Sequence, residues 1–156
     1  MAGWQGDQAL GGGRMSEAAS GDATQGAQAQ TELCPCGSGA TYAACCGVFH
    51  AGAPAPTAEA LMRSRYSAFA RRLPDYLNAT WDSETRPADL ELEDGTVWRR
   101  LQIVDTFDGA EGDSTGVVEF RASYRDADGA GLLHERARFT RNNGRWVYVD
   151  GRVIRD

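Results

Sequence analysis

The sequence predicts an α+β protein: a small cysteine module, then helices packed on one face of an antiparallel sheet. Three observations lead there. The chain's only cysteines, Cys34, Cys36, Cys45 and Cys46, fall in the run CPCGSGATYAACCG. Apolar residues then recur with helical spacing between Thr57 and Leu73. Beyond Trp98 the period changes to alternation, punctuated by Asp-Gly and Asn-Gly pairs. Helices followed by a run of strands segregate into an α+β arrangement.

Residues 1–31 are rich in Gly, Ala, Gln and Ser and nearly free of large apolar side chains. Such a stretch cannot bury enough surface to offset the entropy of ordering, so a disordered, dispensable tail is expected. It lacks the charged start and apolar core of a signal peptide. Met15 lies inside it as a second candidate start beside Met1.

Residues 32–50 form the cysteine module. Cys45 and Cys46 are adjacent, with Cα atoms about 3.8 Å apart, below the usual disulfide span. Cys34 and Cys36 are little better placed, although bridges between the two pairs remain open on spacing alone. Without a secretory signal the expected compartment is the cytoplasm, whose reducing poise disfavours stable disulfides. Four clustered soft donors suit Zn2+, which takes a tetrahedral set. Gly37, Ser38 and Gly39 allow unusual backbone angles and bring amide N–H groups near the thiolates. His50 is an alternative fourth ligand, though a histidine in such a loop is more often a surface residue.

Residues 51–56, rich in Pro, Gly and Ala, read as a hinge. The domain of residues 57–156 opens with Thr57 as N-cap and Glu59 in the first turn. Ala58, Met62, Tyr66, Phe69 and Leu73 then mark one face of a helix. Pro74 starts a second short helix ending near Asn78, and Trp81 closes it against something apolar. Residues 82–95 hold six carboxylates against Arg86 and read as a loop. Four strands follow. Arg99, Leu101, Ile103, Asp105 and Phe107 share one parity; Val118, Phe120, Ala122 and Tyr124 mark the second strand. Leu133, Glu135, Ala137 and Phe139 mark the third, and Trp146, Tyr148 and Asp150 share a face of the fourth. The turns fall at Asp108-Gly109, Asp128-Gly129 and Asn143-Gly144, the last being a strong hairpin signal.

The run CPCGSG…CCG resembles the SEC-C motif, the small zinc module at the end of the bacterial preprotein translocase motor. The resemblance implies Cys34, Cys36, Cys45 and Cys46 as the ligands. Together with APTAEALMRSRYSAF, Trp81, Trp98, ERARF and NGRWVYVDG, it is similar to the YchJ-like family of bacterial proteins over residues 33–151. That resemblance implies a domain of the nuclear transport factor two-like type, a curved sheet wrapped round helices into a cone with a pocket. Some relatives carry a second cysteine motif near the C-terminus, which these residues lack, so a function needing two modules is not expected.

Formal net charge is −6 and the isoelectric point about 4.9. This argues against non-specific nucleic-acid binding and leaves only contact by way of the ribosome. All 16 basic residues are arginine, as codon bias in a GC-rich bacterium produces. No apolar run approaches the ~20 residues needed to span a membrane. No Ser–His–Asp set, phosphate loop or cofactor fingerprint is present.

Glu135 shares the core-facing parity of its strand and is a candidate general base; Asp150 is a second. The simpler expectation for Glu135 is an ion pair with an arginine of the first helix. Arg63 and Arg65 point about 200° apart on that helix, and Arg65 lies on the buried flank, so the predicted pair is Arg65–Glu135. Tyr66, Trp81, Trp98, Trp146 and Tyr148 are pocket candidates, although such aromatics are more often core. For Asp150 the simpler role is a strand-end carboxylate beside Gly151. His134, of opposite parity to Glu135, is expected at the surface.

Three functional readings follow. The favoured one is an adaptor that recognises a protein partner through its zinc module, which resemblance to the translocase module implies is a chaperone, the ribosome or translocation machinery, and holds a ligand or peptide in the cone. The second is an isomerase or hydrolase with Glu135 or Asp150 as base. The third is a structural zinc staple. An open pocket holding Glu135 favours the enzyme; a filled cone with Glu135 paired to arginine favours the adaptor. Substrate, partner and oligomeric state are not encoded legibly.

Overall fold

The computed structural model describes residues 31–155 other than 91, 93 and 94. The expected tail therefore lies, but for Thr31, outside the described residues. A 3-10 turn at Tyr42–Ala44 leads into α1 (Cys46–His50). Then come α2 (Ala58–Ala70), α3 (Pro74–Ala79) and strands β1 (Val97–Asp108), β2 (Thr115–Asp126), β3 (Gly129–Asn142) and β4 (Arg145–Val153). The strands form one antiparallel sheet in the order β1-β2-β3-β4. Consecutive hairpins suffice for that order, so no crossover is needed.

The helices form for the reasons their sequences give. Thr57 caps α2, its side-chain oxygen accepting from the Ala60 N–H at 3.0 Å. The Ala58 N–H also donates to Gly109 O at 2.9 Å, tying the helix start to the β1–β2 loop. Pro74 at the first position starts α3, where a missing N–H costs nothing. One face of α2, with Met62 and Tyr66, joins Leu101, Val118, Phe120, Ala122, Ala137 and Phe139 of the sheet in a single core. Phe69 and Leu73, predicted on that stripe, are half-buried.

Strand regularity is where simple alternation fails. β1 carries irregularities between Trp98 and Arg100 and between Ile103 and Asp105. Each inserts a residue and reverses the parity beyond it. Leu101 and Ile103 keep the inner face, but Phe107 lies outside, 45 % exposed, under the Arg136 guanidinium. β4 has a further irregularity opposite Arg138 and Phe139, whose partners are Asp150 and Tyr148. Val149 is the extra residue.

Asn143 and Gly144 both adopt positive φ, 54° and 80°, as a tight hairpin turn demands. At the β2–β3 turn Asp126 pairs with Gly129, so the turn residues are Ala127 and Asp128 rather than Asp128 and Gly129.

His134 departs from expectation. It occupies the outer face, opposite to Glu135, yet is only 6 % exposed. Its Nε2 lies 2.7 Å from Glu119 on β2, and Arg136 donates to the same carboxylate at 3.0 Å. Glu119 and Arg136 shield the imidazole, while Arg136 itself stays 41 % accessible. The Glu119 carboxyl is held below its ordinary range, first by the His134 contact and then by Arg136.

Candidate functional site

The cysteines are gathered by a hairpin and a helix start. Cys34 N–H donates to Ala40 O at 2.9 Å, and Gly37 N–H to Cys34 O at 3.2 Å, folding the first pair into a tight loop. Gly37 stands at φ 82° and Gly39 at 91°, backbone that side chains disfavour. Cys46 opens α1, bringing the second pair alongside. All four sulfurs lie within 4.8 Å of one another, and none is in a disulfide.

Four thiols this close cannot all ionise unaided. The Cys34 thiol is pushed far down, chiefly by hydrogen bonding from Cys36. The Cys46 thiol is pushed far up, chiefly by its bond to Cys34, and burial pushes Cys45 up. A metal ion removes this conflict, and soft thiolates are the donors a soft or borderline cation takes. The Cys36 backbone also lowers the Cys34 thiol, less than its side chain does. Two hydroxyls also reach the cluster: Ser38 Oγ is 3.2 Å from Cys45 Sγ and Ser67 Oγ 3.5 Å from Cys34 Sγ.

His50 does not join them. Its Nε2 donates to the Ser64 carbonyl at 2.8 Å, which leaves Nδ1 to accept from the Tyr42 hydroxyl at 2.6 Å. Burial lowers its pKa and keeps it neutral. It is a half-buried clamp between module and helix, neither the alternative ligand nor the surface residue of the sequence-based expectation.

The module rests on the back of α2. Arg63 donates to Cys36 O at 3.1 Å, and Arg71 lies over the Tyr42 ring at 3.9 Å and bonds Glu32 at 3.3 Å. Cys34, Cys36 and Cys46 belong to the same core as Leu61 and Tyr66. Ser64 and Ser67, both 0 % exposed, escaped sequence analysis. The available signal was two serines three apart on an otherwise apolar helix flank.

On the other side of α2 the cone encloses a cavity of about 230 Å³. Arg65, Tyr66, Trp81, Trp98, Glu135 and Tyr148 all line it, as their sequence pattern predicts, together with Met62, Phe69, Phe120, Ala122 and Leu133. A second compartment of about 360 Å³ shares Phe69, Trp98 and Leu133 and has Arg72, Tyr124 and Asp126 on its rim. Trp146 is not part of this site. It is buried beside the entry to α2, its Nε1 donating to Pro56 O at 3.2 Å and its ring under Arg141.

The predicted Arg65–Glu135 ion pair is not formed. Arg65 Nη1 donates to Leu77 O at 2.9 Å and Thr80 Oγ1 at 2.8 Å. Its guanidinium stacks 5.0 Å from the Trp81 ring centre and 4.6 Å from that of Tyr148. The α3 carbonyl, Thr80 and the two rings hold the guanidinium away from Glu135. The Tyr148 hydroxyl reaches Glu135 instead, donating to Oε2 at 3.1 Å. Gly151 makes room for that carboxylate, since a Cβ there would stand 1.8 Å from Glu135 Oε2.

The electrostatics follow from this separation. Burial pulls Arg65 down to about 10 and pushes Glu135 up, the latter partly offset by the Tyr148 bond and the Arg65 charge. Tyr148 is pushed far above its ordinary value, first by burial and then by Glu135, and stays a donor. A desolvated carboxylate beside a fixed donor can accept a proton from a bound molecule.

Asp150 cannot share that role. The Val149 bulge turns it to the outer face, where Arg138 grips it through two bonds of 2.7 Å. Arg138 holds its carboxyl below the ordinary range.

Comparison with known proteins agrees with this architecture. Residues 31–47 match the SEC-C motif, and residues 57–151 match the family "YchJ, middle NTF2-like domain". A UPF0225 protein of Streptomyces coelicolor is 54 % identical over 125 residues, covering 80 % of this chain and 98 % of that protein. One from Xanthomonas campestris is 49 % identical, covering 78 % of this chain and 95 % of its own. The solution structure of a SEC-C motif containing protein from Rhodopseudomonas palustris superposes with a TM-score of 0.68 at 33 % identity, covering 78 % of this chain and 98 % of that one. The crystal structure of a SEC-C motif containing protein from Psychrobacter arcticus does so with a TM-score of 0.59 at 26 % identity, covering 79 % and 83 %. Among the described residues no helix is long and apolar enough to cross a membrane. A SEC-C motif joined to a YchJ-type, NTF2-like cone, with relatives at this level of identity, makes the chain a member of the UPF0225 family.

Proposed function

We propose that the protein is a zinc-stapled binding protein whose cone takes a small ligand, the open cavity with Glu135 unpaired shifting the balance from the adaptor towards the enzyme. The observation that carries this reading is the open, aromatic-walled cavity, in which Arg65 and Glu135 share space without pairing. Charged groups kept apart beside an apolar cavity are costly unless something uses them. For the cysteine cluster the ion proposed is Zn2+. A tetrahedron of thiolates at the usual zinc–sulfur distance of about 2.3 Å has edges of about 3.8 Å. Cys36 and Cys45 sulfurs stand 3.6 Å apart, in keeping with it. When bound, the ion neutralises part of the thiolate charge and locks the module.

A macromolecular partner, such as a chaperone, the ribosome or translocation machinery, would meet the module's outer side. Leu33 and Val48 are 65 % and 43 % exposed there and offer apolar contact. For the cone, catalysis with Glu135 as base is the reading that the open cavity and the missing arginine partner favour over a filled, ion-paired cone, and burial raises the Glu135 pKa in the same sense.

Thermal unfolding of the zinc-loaded protein against a library of small metabolites tests the cone. Compounds that raise the midpoint of the parent but not of a Leu133→Trp variant, which fills the cavity, are the expected result. No stabilising compound, or equal effects on both proteins, would sink the reading. Capture from a bacterial lysate with the parent and a Leu33→Glu, Val48→Glu double variant tests the partner surface.

A further inference from the structure

The cavity holds more donors than the protein satisfies. Arg65 is only 3 % exposed, yet among the described residues its hydrogen bonds all leave from Nη1. Nε and Nη2 have no acceptor there, and Arg65 lines the cavity. Trp81, another lining residue, buries its indole N–H without any partner among the described residues. A buried donor without an acceptor, as the Trp81 indole is, is rare and costly, and the Arg65 atoms are left open to the cavity. Against them stands one carboxylate, Glu135, whose Oε2 is already engaged by Tyr148.

We propose that the cone binds a small organic monocarboxylate with an apolar ring or chain, its carboxylate seated on Arg65 and, as the buried Trp81 ring turns to meet it, on that indole N–H. This rests on the cone being a ligand site. Several features narrow the class. Guanidinium forks match carboxylates in geometry as well as charge. A cation is disfavoured, because Arg65 repels it and already covers the faces of Trp81 and Tyr148. A dianion such as a phosphate ester is disfavoured by Glu135 in the same small space. The volume, about 230 Å³, is below the roughly 300–1,000 Å³ of drug-sized sites, so the tail is short. Tyr66, Phe69, Trp98 and Phe120 supply its apolar surroundings. Glu135, which burial has already pushed towards protonation, adapts to a second carboxylate by taking up a proton or accepting a hydroxyl from the ligand.

Nitrogen-proton NMR of the full, zinc-loaded chain reads this directly. The probes are benzoate, 3-phenylpropionate and hexanoate, each beside its matching alcohol and amine. The Trp81 indole N–H signal should move downfield with the acids, while that of Trp146, already bonded to Pro56 O, serves as a fixed control. The acids should bind at least about tenfold tighter than the alcohols, as a charge-assisted bond to a buried donor implies. Trp81→Phe keeps a ring and removes the N–H, and should weaken the acids severalfold without changing the alcohols. Arg65→Lys serves as a second variant and should reduce the preference for acids. Binding of alcohols or amines as tight as the acids would overturn the carboxylate assignment and leave the cone a ligand site. No shift at Trp81, Trp98 or Tyr148 with any probe would overturn the assignment and count against the cone with it.

Discussion

The Tyr148 hydroxyl donates a 3.1 Å hydrogen bond to the Glu135 carboxylate, while Arg65 lies against the face of the same tyrosine, 4.6 Å from its ring centre. One aromatic ring therefore stands between a buried cation and a desolvated anion that would otherwise meet. The carboxylate remains the group whose charge the fold disfavours. Glu135→Gln removes that charge and keeps an acceptor for Tyr148. A carboxyl whose pKa is raised on folding binds protons more tightly in the native state, so stability falls as pH rises from the unfolded value through the folded one. The variant should equal or exceed the parent's unfolding midpoint at neutral pH, by up to a few degrees. The advantage should shrink to nothing in acid. A marked loss of stability at neutral pH would show that Glu135 is engaged as an ion pair.

One metal ion per chain is expected, held by Cys34, Cys36, Cys45 and Cys46. Cys46→Ser should lose it in metal analysis. His50→Ala should keep it, yet lose about 1–3 kcal/mol of stability through its bonds to Ser64 O and Tyr42, as chemical denaturation would measure. Loss of metal from the histidine variant would move the fourth ligand to His50.

Ser67 belongs to α2 but its hydroxyl lies 3.5 Å from Cys34 Sγ, so the cone domain completes the surroundings of the cysteine cluster. Ser67→Ala should lower metal affinity about tenfold in competition with a chromophoric chelator, the range seen for outer hydrogen-bond partners. Unchanged affinity would show the contact to be packing alone.

Removing the metal should reach further than the module. Cys34, Cys36 and Cys46 share a core with Leu61 and Tyr66, so chelation should loosen α2 and expose its amides to hydrogen exchange. Protection of α2 that survives chelation would make the module an independent appendage.

Asp150→Asn should leave ligand binding unchanged and alter stability by less than about 1 kcal/mol. Its pair with Arg138 is exposed, with side chains 50 % and 62 % accessible. A loss of any turnover would restore it as a catalytic candidate. Gly151→Ala should act in the opposite way. The added Cβ meets the Glu135 carboxylate, so binding in the cone should fall even if the fold survives.

Features set by a few neighbouring residues are legible in the sequence before the fold is known. Four cysteines within thirteen positions, with Gly37-Ser38-Gly39 between the pairs, can be gathered by a single turn. The Thr57 cap, the spacing of Met62 and Tyr66, Pro74 and the Asn143-Gly144 turn each specify their element from a few neighbouring residues. The parity of β3 placed Glu135 correctly because that strand is regular through the residues concerned. Tertiary structure decided the rest. Asp150 left the cone because one extra residue, Val149, is accommodated against β3, and a bulge is set by cross-strand register. Phe107 turned outward by the same mechanism on β1. His134 became buried because Glu119 of the neighbouring strand bonds it and draws Arg136, two residues further along its own strand, over the same carboxylate. Arg65 missed Glu135 because the Leu77 carbonyl, Thr80, Trp81 and Tyr148 converge on its guanidinium from three separate elements. Helix periodicity reports which side of α2 faces the core. Which of several buried acceptors an arginine reaches depends on distances across the fold, and no local spacing carries those.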